Sequence, residues 1–440
     1  MYGAIVYRLR DRGASLDVFK LYFWAIMIVI VAELCGPIKI PVGSGNIVLL
    51  PYLWATLLAL AVGLMGTRLN RLVAIDIAAQ CKAALIFQTA ILVFIAKLGL
   101  LVGESVPVII NAGWAIIFQE LGHFVGTILL GLPVALLLGI KREAVGATFS
   151  VGREPSLAII SEKYGMNSPE GRGVMGEYLT NTLLGTLFMT FAAGLVTSLG
   201  VFDPKSLAMG AGIGSGTMMA AAAGAIAAQQ TPEVAKEVMA IAAAANLMTT
   251  TIGTYFTLFI SLPLANWAYR TFEPIIGRVS SASIPSDGDF SLSEGERSLT
   301  WSGKFFAWTG ITMLALLANY VAFASIPAIL YLGLALLIAI AFVGEFLFII
   351  TRRKIPVVCW VSIVAMFLTS PANPFAEEVK LVASSVNIIT LITPILAFVG
   401  LSIAKDLRAL KQLGWRLVLV SLLATFGTFI GATLVAELFH

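Results

Sequence analysis

The sequence predicts an all-α polytopic membrane protein, and three properties of the chain support this. Of its 440 residues, 59% are hydrophobic and 12% are charged, whereas a soluble domain carries about 25% charged residues. The mean hydropathy is +0.95. Apolar stretches close to the length that a bilayer requires, about 20 residues, recur along the chain. This composition excludes a water-soluble enzyme, and the scattered charges, which sum to +4, form no basic face for nucleic acid.

The apolar stretches predict about 10–11 transmembrane helices. One of them, 108–140, is too long for a single straight crossing, so it must tilt, break near Gly122 or contain a re-entrant turn. The candidate spans are 19–34, 47–64, 83–102, 108–140, 174–199, 238–264, 305–321, 330–350, 357–368, 383–404 and 417–438.

Two further apolar segments are built differently, and we predict that they are re-entrant hairpins that enter the bilayer from opposite faces. The segment 146–165 carries Arg153, Glu154 and Pro155 at its middle, and such a triplet would cost several kcal/mol on a lipid-facing helix. The segment 207–228 contains four glycines at alternate positions, a spacing that fits no helical packing stripe. A packing face of the Gly-xxx-Gly kind is the alternative for these glycines.

The basic residues predict the orientation, because Lys and Arg favour the cytoplasmic side of a membrane. With a cytoplasmic N-terminus and two hairpins that do not cross, nearly every basic cluster lies on one side. We therefore expect a multi-pass protein of the cell inner membrane. The basic residues placed inside are Arg68, Arg71, Lys141, Arg142, Lys163, Arg172, Arg270, Arg278, Arg352, Arg353, Lys354, Lys405, Arg408, Lys411 and Arg416.

A polar segment divides the chain. Its Ser, Gly, Asp and Glu content cannot form a core, so we expect a cytoplasmic linker. The predicted units are N-terminal scaffold helices with part of the core (1–145), a transport core with the two hairpins (146–272), the linker (273–304) and C-terminal helices (305–440), in which 383–440 repeats part of 83–140.

Faint internal repeats agree with this organisation. A Gly-Trp pair is followed 13 residues later by Gly-Thr in both halves of the chain, and a Ser/Thr-Pro-Glu triplet followed by an Asn comes after each predicted hairpin. In the predicted orientation the copies run in opposite directions, as in transporters that open alternately to either side. Coincidence among Gly- and Ala-rich helices is the alternative. The repeated residues are Gly113-Trp114 with Gly126-Thr127, Gly414-Trp415 with Gly427-Thr428, and Asn181 with Asn246.

The predicted hairpin tips carry groups that suit a carboxylate. The guanidinium of Arg153 is a planar fork that matches carboxylate geometry, with an ion pair to Glu154 or Glu177 as the alternative. Glycine lets the backbone approach a ligand closely, and N–H groups where a helix begins near Thr217 favour an anion. The predicted substrate-binding residues are Ser150, Arg153, Glu154, Ser156, Gly212, Gly214, Ser215, Gly216 and Thr217.

Polar residues inside apolar helices predict a site for a coupling ion. Amide and hydroxyl oxygens suit Na⁺ or a polar solute, and hydrogen bonds between helices are the alternative. Glu120 and His123 are either a pair that handles a proton near neutral pH or a buried structural pair. The predicted ion-binding or coupling residues are Asn181, Asn246, Thr250, Glu120 and His123.

We expect no metal and no cofactor. Glu120 and His123 form half of a di-metal motif, but the only other histidine is His440. The cysteines at 35, 81 and 359 have no metal-ligand or disulfide spacing. The sequence contains no nucleotide-binding loop of the Gly-x4-Gly-Lys type, which excludes ATP-driven transport by this chain alone.

Three sequence runs resemble a bacterial family of membrane proteins of unknown function: FQELGH at 118–123, FSVGREP at 149–155 and GIGSGTMM at 212–219. The resemblance covers most of 72–264 and continues more weakly toward the C-terminus. More distantly, the chain is similar to elevator-type secondary transporters, namely the 2-hydroxycarboxylate symporters, the glutamate/sodium symporters and the lysine exporters.

The distant resemblance implies that two opposed hairpins meet at the substrate and that a transport domain slides on a scaffold. It also implies a homodimer. Carried over to this chain, Arg153 to Ser156 would form the first hairpin tip and 212–217 the second. The first tip has Arg-Glu-Pro where those symporters have paired glycines, which sets this chain apart from them.

We therefore expect an ion-coupled secondary transporter of a small carboxylate-bearing solute, an organic acid or an amino acid, with Na⁺ or H⁺ as the coupling ion and no enzymatic activity. A channel or passive permease is the first alternative. The others are an intramembrane enzyme that uses Glu120 and His123 and a structural subunit of a larger complex.

Overall fold

The structure is a computed structural model that describes residues 2–42, 45–65, 74–106, 113–151, 154–165, 168–251, 253–278, 299–352, 357–403 and 414–439. Most of these residues are helical, and within the described ranges the only sheet is a two-stranded antiparallel hairpin.

The N-terminal part has three helices and the β-hairpin. Ile38 pairs with Leu49 in the hairpin, so residues 45–49 are strand and not the start of the predicted span 47–64. The helix begins instead at Pro51, because proline fits the first turn of a helix, where its missing N–H costs nothing. The elements are α1 (Tyr2–Cys35), β1 (Ile38–Val42), β2 (Gly45–Leu49), α2 (Pro51–Leu64) and α3 (Ile77–Glu104).

The central part contains both segments that the sequence predicts as hairpins, and each folds as two short helices separated by a break. The long stretch 108–140 contains one continuous helix of 23 residues, α4 (Ala115–Leu137), with Pro133 inside it. A π-helical turn, Asn181–Gly185, joins two later helices into one span. The helices after α4 are α5 (Glu143–Thr148), α6 (Glu154–Lys163), α7 (Pro169–Thr180), α8 (Thr186–Ser198), α9 (Pro204–Ala211) and α10 (Gly216–Ala227).

The rest of the chain is helical on both sides of the predicted linker. A second π-helical turn, Thr257–Ser261, lies within the apolar stretch 238–264. The helices are α11 (Pro232–Thr251), α12 (Gly253–Phe256), α13 (Leu262–Ile276), α14 (Trp301–Phe323), α15 (Ala328–Ile350), α16 (Val357–Thr369), α17 (Ala376–Ser384), α18 (Ile388–Ile403) and α19 (Trp415–Glu437).

Seven helices in the described ranges are long and apolar enough to cross a membrane, so the protein is a multi-pass membrane protein. A pair bent by 62°, α17 with α18, makes an eighth span if it crosses as one unit. The stretches 47–64 and 357–368, predicted as spans, form helices of only 14 and 13 residues, below the about 20 that a straight crossing needs. The seven are Leu16–Cys35, Ile77–Glu104, Ala115–Leu137, Pro169–Ser198, Trp301–Phe323, Ala328–Ile350 and Trp415–Glu437.

The helices pack in two groups. The first helix group comprises α1–α3 and α14–α18, and the second helix group comprises α4–α13 and α19. Contacts between the groups run mainly through α3 with α11 and through β2 with α8. The last helix of the chain therefore packs with the two interrupted segments, whereas the helices that precede it pack with the N-terminal ones.

The most extensive helix contact in the second group is that of α4 with α19. Glycines let the two backbones touch, since a Cβ atom on Gly122 would overlap the backbone of Gly431 and a Cβ on Gly126 would overlap that of Gly427. Residue numbers rise along one helix as they fall along the other, so α4 and α19 run antiparallel.

Candidate functional site

Each interrupted segment consists of helices too short to cross a bilayer. The helices α9 and α10 have 8 and 12 residues, about 12 and 18 Å at 1.5 Å per residue, against about 30 Å of hydrocarbon. We name residues 149–151, which follow α5, the first break and residues 212–215, between α9 and α10, the second break. Arg153 lies outside the described residues, as does the side chain of Glu154, the first residue of α6.

The glycines around the second break have different roles. Gly214 has a φ of 62°, which glycine adopts at little cost. A Cβ on Gly212 would overlap Ala245 of α11, and one on Gly210 would overlap α19. Gly216 has open space around its Cα. Part of the alternating glycine pattern therefore serves helix packing, the alternative that the sequence left open.

Asn246, which lies on α11, stabilises the second break. Its side-chain amide donates hydrogen bonds to the carbonyl oxygens of Gly212 at 2.9 Å and Gly214 at 3.3 Å. Ser215 caps α10, because its hydroxyl accepts a hydrogen bond from the N–H of Met218. Backbone groups that lose their helical partners at the break thus find others.

The two breaks meet at one cavity. Ser150 and Ser156 line it from the first segment, where the Ser156 hydroxyl donates to that of Ser150 at 2.7 Å. Gly214 lines it from the second segment. The volume is about 30 Å³, which suits one or two water-sized guests. The lining residues are His123, Phe124, Thr127, Ser150, Val151, Ser156, Ile213, Gly214, Thr249, Gly253, Thr257 and Thr428.

Glu120 and His123 are both buried on α4 beside this cavity. The Glu120 Oε2 atom is 3.5 Å from His123 Nδ1, longer than an ordinary hydrogen bond, and the Thr249 hydroxyl contacts Glu120 Oε1. Neither ring nitrogen of His123 has a hydrogen-bond partner among the described residues. No group of three His, Cys, Asp or Glu side chains suited to a metal ion occurs in the same ranges.

Asn181 lies in a separate network and does not line the cavity. Its amide donates to Glu177 Oε1 at 2.5 Å, and its carbonyl oxygen accepts from the Thr425 hydroxyl at 2.7 Å. All three side chains are buried. The network joins α7 and the π-helical turn to α19. The sequence pointed to Glu177 only as a partner for Arg153, and it gave no sign of Thr425.

Two predicted hydroxyl ligands have local partners. The Thr250 hydroxyl donates to the backbone carbonyl of Asn246 at 2.7 Å, a common arrangement for threonine inside a helix. Thr217 is buried and shares a hydrogen bond of 2.9 Å with Ser215. Neither residue lines the cavity, and both lie within one turn of the second break or of the asparagine that holds it.

Four threonines line the cavity, and the sequence pointed only to Thr249 as an oxygen ligand beside Asn246. Thr127 and Thr428 share a hydrogen bond of 2.5 Å across α4 and α19, and Thr249 and Thr257 complete the set. Thr127 and Thr428 are the threonines of the repeated Gly-Thr pairs, so the repeat could have identified them as site residues. Thr257 lies in the second π-helical turn, which no local sequence pattern indicates.

Polar contacts hold the first segment at its two outer ends, the start of α5 and the end of α6, which lie away from the break. Arg142, just before α5, forms an ion pair with Glu170 at 2.6 Å and a hydrogen bond of 3.1 Å to Asn266. The same Asn266 amide donates to the Tyr164 hydroxyl, just after α6, at 3.0 Å.

Two groups at this end of the molecule have shifted pKa values. The hydrogen bond with Glu273, at 2.7 Å, raises the pKa of Lys141. Burial raises the pKa of Tyr269, and the negative charge of Glu273 adds to that rise. The guanidinium of Arg142 lies 5.2 Å from the centre of the Tyr269 ring. This end therefore holds a compact cluster of charges.

The second segment is attached elsewhere. Lys205, at the start of α9, forms an ion pair with Glu237 near the start of α11 at 3.0 Å. Gln229, just after α10, donates to the carbonyl of Gly194 near the end of α8 at 2.9 Å. The outer ends of the second segment, the start of α9 and the end of α10, therefore contact α11 and α8 and not Arg142 or Asn266.

The fold and the cavity define a polytopic α-helical membrane protein with a buried polar site between two interrupted segments. The chain belongs to the family described as protein of unknown function (DUF3100), whose match covers residues 30–271. That range includes both segments and all of the cavity lining except Thr428. No curated protein and no solved structure matches the chain. The resemblance to a membrane-protein family of unknown function is confirmed, and the similarity to elevator-type transporters stays a prediction.

Proposed function

We propose that the protein is an ion-coupled secondary transporter of a small carboxylate-bearing solute, an organic acid or an amino acid, that works by alternating access. The observation that carries the proposal is the meeting of the two breaks at one cavity. Non-helical backbone within a membrane is tolerated only where it is buried in protein or lines a watery cavity. Both breaks line the cavity, next to His123.

The anchoring contacts support a pair of opposed re-entrant hairpins. Arg142, at the outer end of α5, pairs with Glu170 at the start of α7, and Asn266 of α13 joins Arg142 to Tyr164 at the outer end of α6. The outer ends of α9 and α10 reach the start of α11 and the end of α8. Because α7 and α8 form one 30-residue span, its start and its end lie on opposite faces, and so do the two attachments.

The antiparallel contact between α4 and α19 supports an inverted repeat. The helix α4 begins just after the Gly-Trp pair of the first half, and α19 begins at the Trp of the second pair. The Gly-Thr pairs of the two helices lie in contact where the helices cross. Opposed repeats around a central site let one protein open to either side in turn. We infer that the first helix group is a dimeric scaffold and that the second moves against it as an elevator-like transport domain.

The substrate carboxylate would be held by Arg153 and by backbone N–H groups at the start of α10, with Ser150, Glu154 and Ser156 completing the contact. A cavity of about 30 Å³ is too small for an organic acid. In the proposed cycle the described conformation would be a closed state, and solute would enter when the breaks separate.

The coupling ion, Na⁺ or H⁺, would be handled by the polar residues behind the breaks, Glu120, His123, Asn181, Asn246 and Thr250. The protein would act in the cell inner membrane with a cytoplasmic N-terminus, and it would move its solute without chemical conversion.

Uptake into proteoliposomes tests the proposal. A set of labelled organic acids and amino acids is supplied with a Na⁺ gradient, a proton gradient or neither. We expect saturable uptake of at least one carboxylate that accumulates only with a gradient. Flux that follows the solute gradient alone and does not saturate would instead indicate a channel.

Two variants test whether the carboxylate uptake depends on the proposed substrate site. Arg153→Ala should abolish accumulation of the carboxylate, whereas Lys380→Ala, which removes a positive charge from α17 outside the cavity lining, should leave it within about twofold of the unmodified protein. Equal accumulation by Arg153→Ala and the unmodified protein would remove Arg153 from the substrate site.

A further inference from the structure

We propose that Glu120 is the proton-binding group of the transporter and that H⁺ is its coupling ion, with His123 as the relay between Glu120 and the cavity. This inference rests on the proposed transport function but concerns a property, protonation of one buried carboxyl group, that can be measured without transport. Three observations carry it: the hydrogen bonds of Thr249, the position of His123, and the surroundings of the pair.

The hydrogen bonds of Thr249 are compatible with a proton on Glu120. The Thr249 hydroxyl lies within hydrogen-bond distance of the Ala245 carbonyl, at 2.9 Å, and of Glu120 Oε1. A hydroxyl has one proton to donate, and a backbone carbonyl can only accept. When Thr249 donates to Ala245, the contact with Glu120 is satisfied if the carboxyl group carries the proton and donates it. The described conformation therefore fits a neutral Glu120.

His123 connects this carboxyl group to the cavity. Its ring lines the cavity, and its Nδ1 atom lies 3.5 Å from Glu120 Oε2. The side chain is only 3% exposed, and neither ring nitrogen has a hydrogen-bond partner in the described part of the chain. A buried imidazole without protein partners is suited to exchange a proton with water in the cavity.

Among the described residues, His123 is the only titratable side chain that lines the cavity. The elements that pack against α4 are α5, α9, α11, α13 and α19, together with the π-helical turn Thr257–Ser261. Apart from Glu120 and His123, the titratable and charged residues on those elements are Glu143, Lys205, Glu233, Lys236, Glu237, Tyr269, Arg270, Glu273, Arg416 and Glu437.

The proton balance is simple. On uptake, an O–H bond of a hydronium ion in the cavity breaks, the proton passes through the imidazole of His123, and an O–H bond forms on Glu120. Release reverses these steps and leaves a carboxylate. Gly253 contributes to the site because a Cβ there would come within 3.1 Å of Glu120 Oε2, so the missing side chain leaves room for the carboxyl group to change partners.

Infrared pH-difference spectra of the purified full chain in lipid nanodiscs test the inference. We expect a C=O band of a buried protonated carboxyl group that disappears on alkaline titration. Glu120→Gln should remove one component of this band, since Glu33 and Glu177 are buried carboxyl groups as well. The matched control, Glu345→Gln, should retain it, because Glu345 is equally buried but forms an ion pair with Lys304 at 2.6 Å.

A second variant keeps the test informative if Glu120→Gln does not fold. Thr249→Val preserves the side-chain shape but removes the hydroxyl, so the band should shift in frequency and not disappear. A band that neither Glu120→Gln nor Thr249→Val changes, or a carboxylate absorption at every pH, would overturn the assignment.

Uptake assays on the same preparations separate this inference from the transport proposal. A titrating Glu120 band without uptake of any carboxylate under any gradient would support the proton site and overturn the transporter. Uptake that follows a Na⁺ gradient, ignores a proton gradient and persists in Glu120→Gln would support the transporter and overturn the proton site.

Discussion

Gly126 and Gly427 touch each other backbone to backbone, although they lie in opposite halves of the chain. A Cβ atom on either residue would overlap the carbonyl oxygen of the other. The next residues, Thr127 and Thr428, are 301 positions apart and share a hydrogen bond. These are the paired positions of the Gly-Thr repeat. Contact between equivalent residues is what a two-fold relation between two copies produces, so the crossing point is a sensitive place to test the architecture.

Gly427→Ala should destabilise the protein by about 1–3 kcal/mol, the usual range for an overpacked contact, because neither backbone can yield without separating α4 from α19. The thermal unfolding midpoint in detergent would measure the change. Gly216→Ala is the matched control, since its Cα faces open space at the start of α10, and we expect an unchanged or slightly higher midpoint. Equal midpoints for the two variants would contradict the close crossing.

Asn246→Ala should loosen the second break. The substitution removes the donor that serves the carbonyls of Gly212 and Gly214, and each buried acceptor left without a partner costs about 1–3 kcal/mol. We would measure maleimide labelling of Ile213→Cys, which is buried at the cavity. The labelling rate should rise about fivefold or more when Asn246→Ala is added.

The control for that experiment is Asn266→Ala. Asn266 also holds one segment through side-chain hydrogen bonds, but at the outer end of α6. The Asn266→Ala substitution should leave the labelling rate of Ile213→Cys unchanged. A similar increase with both variants would mean that labelling reports general loosening of the protein and not release of the second break.

The membrane class and the two interrupted segments could be predicted from the sequence because they depend on local composition. A charged triplet and alternating glycines are incompatible with ordinary lipid-facing helices, and both segments do break, at 149–151 and 212–215. The start of α10 at Gly216 agrees with the helix expected near Thr217. In the described part of the long stretch 108–140 there is one helix, α4, which begins at Ala115.

Features that depend on distant partners could not be predicted from the sequence. The β-hairpin 38–49 interrupts an apolar run that looks like the start of a span. Asn246 contacts backbone of the second break, and Asn181 contacts Glu177 and Thr425. A polar residue inside a helix shows that it needs a partner, but the partner becomes visible only when the helices are packed.

The meeting of the two breaks predicts that cysteines placed on them can be linked. Val151→Cys and Ile213→Cys both lie on the cavity lining, in a chain whose three native cysteines have been replaced by serine. A short bifunctional thiol reagent should join them within one molecule, as detected by mass spectrometry of the digested protein. Pairing Val151→Cys with Ala383→Cys, in the first helix group, should give no link. Failure of the first pair while each single cysteine reacts with the reagent would argue against the shared cavity.

Tyr52 links the two helix groups, and its contact with α10 predicts a strong coupling between two substitutions. The Tyr52 hydroxyl donates to the carbonyl of Ala221 at 3.0 Å, and a Cβ on Gly224 would lie 2.9 Å from the same hydroxyl oxygen. Tyr52→Phe alone should cost about 0.5–1.5 kcal/mol, the net worth of one hydrogen bond. Gly224→Ala alone should be destabilising, because the added methyl group meets a hydroxyl that is fixed by its hydrogen bond.

In the Tyr52→Phe protein, Gly224→Ala should instead be neutral or stabilising. The hydroxyl is absent, the nearest ring carbon is 3.5 Å away, and alanine is favoured over glycine inside a helix by up to about 1 kcal/mol. Unfolding midpoints of the four proteins form a double-mutant cycle, in which residues in contact show coupling of about 0.5–3 kcal/mol. Additive effects of the two substitutions would show that Tyr52 does not contact α10 in the folded protein, and the link between the helix groups at this position would have to be abandoned.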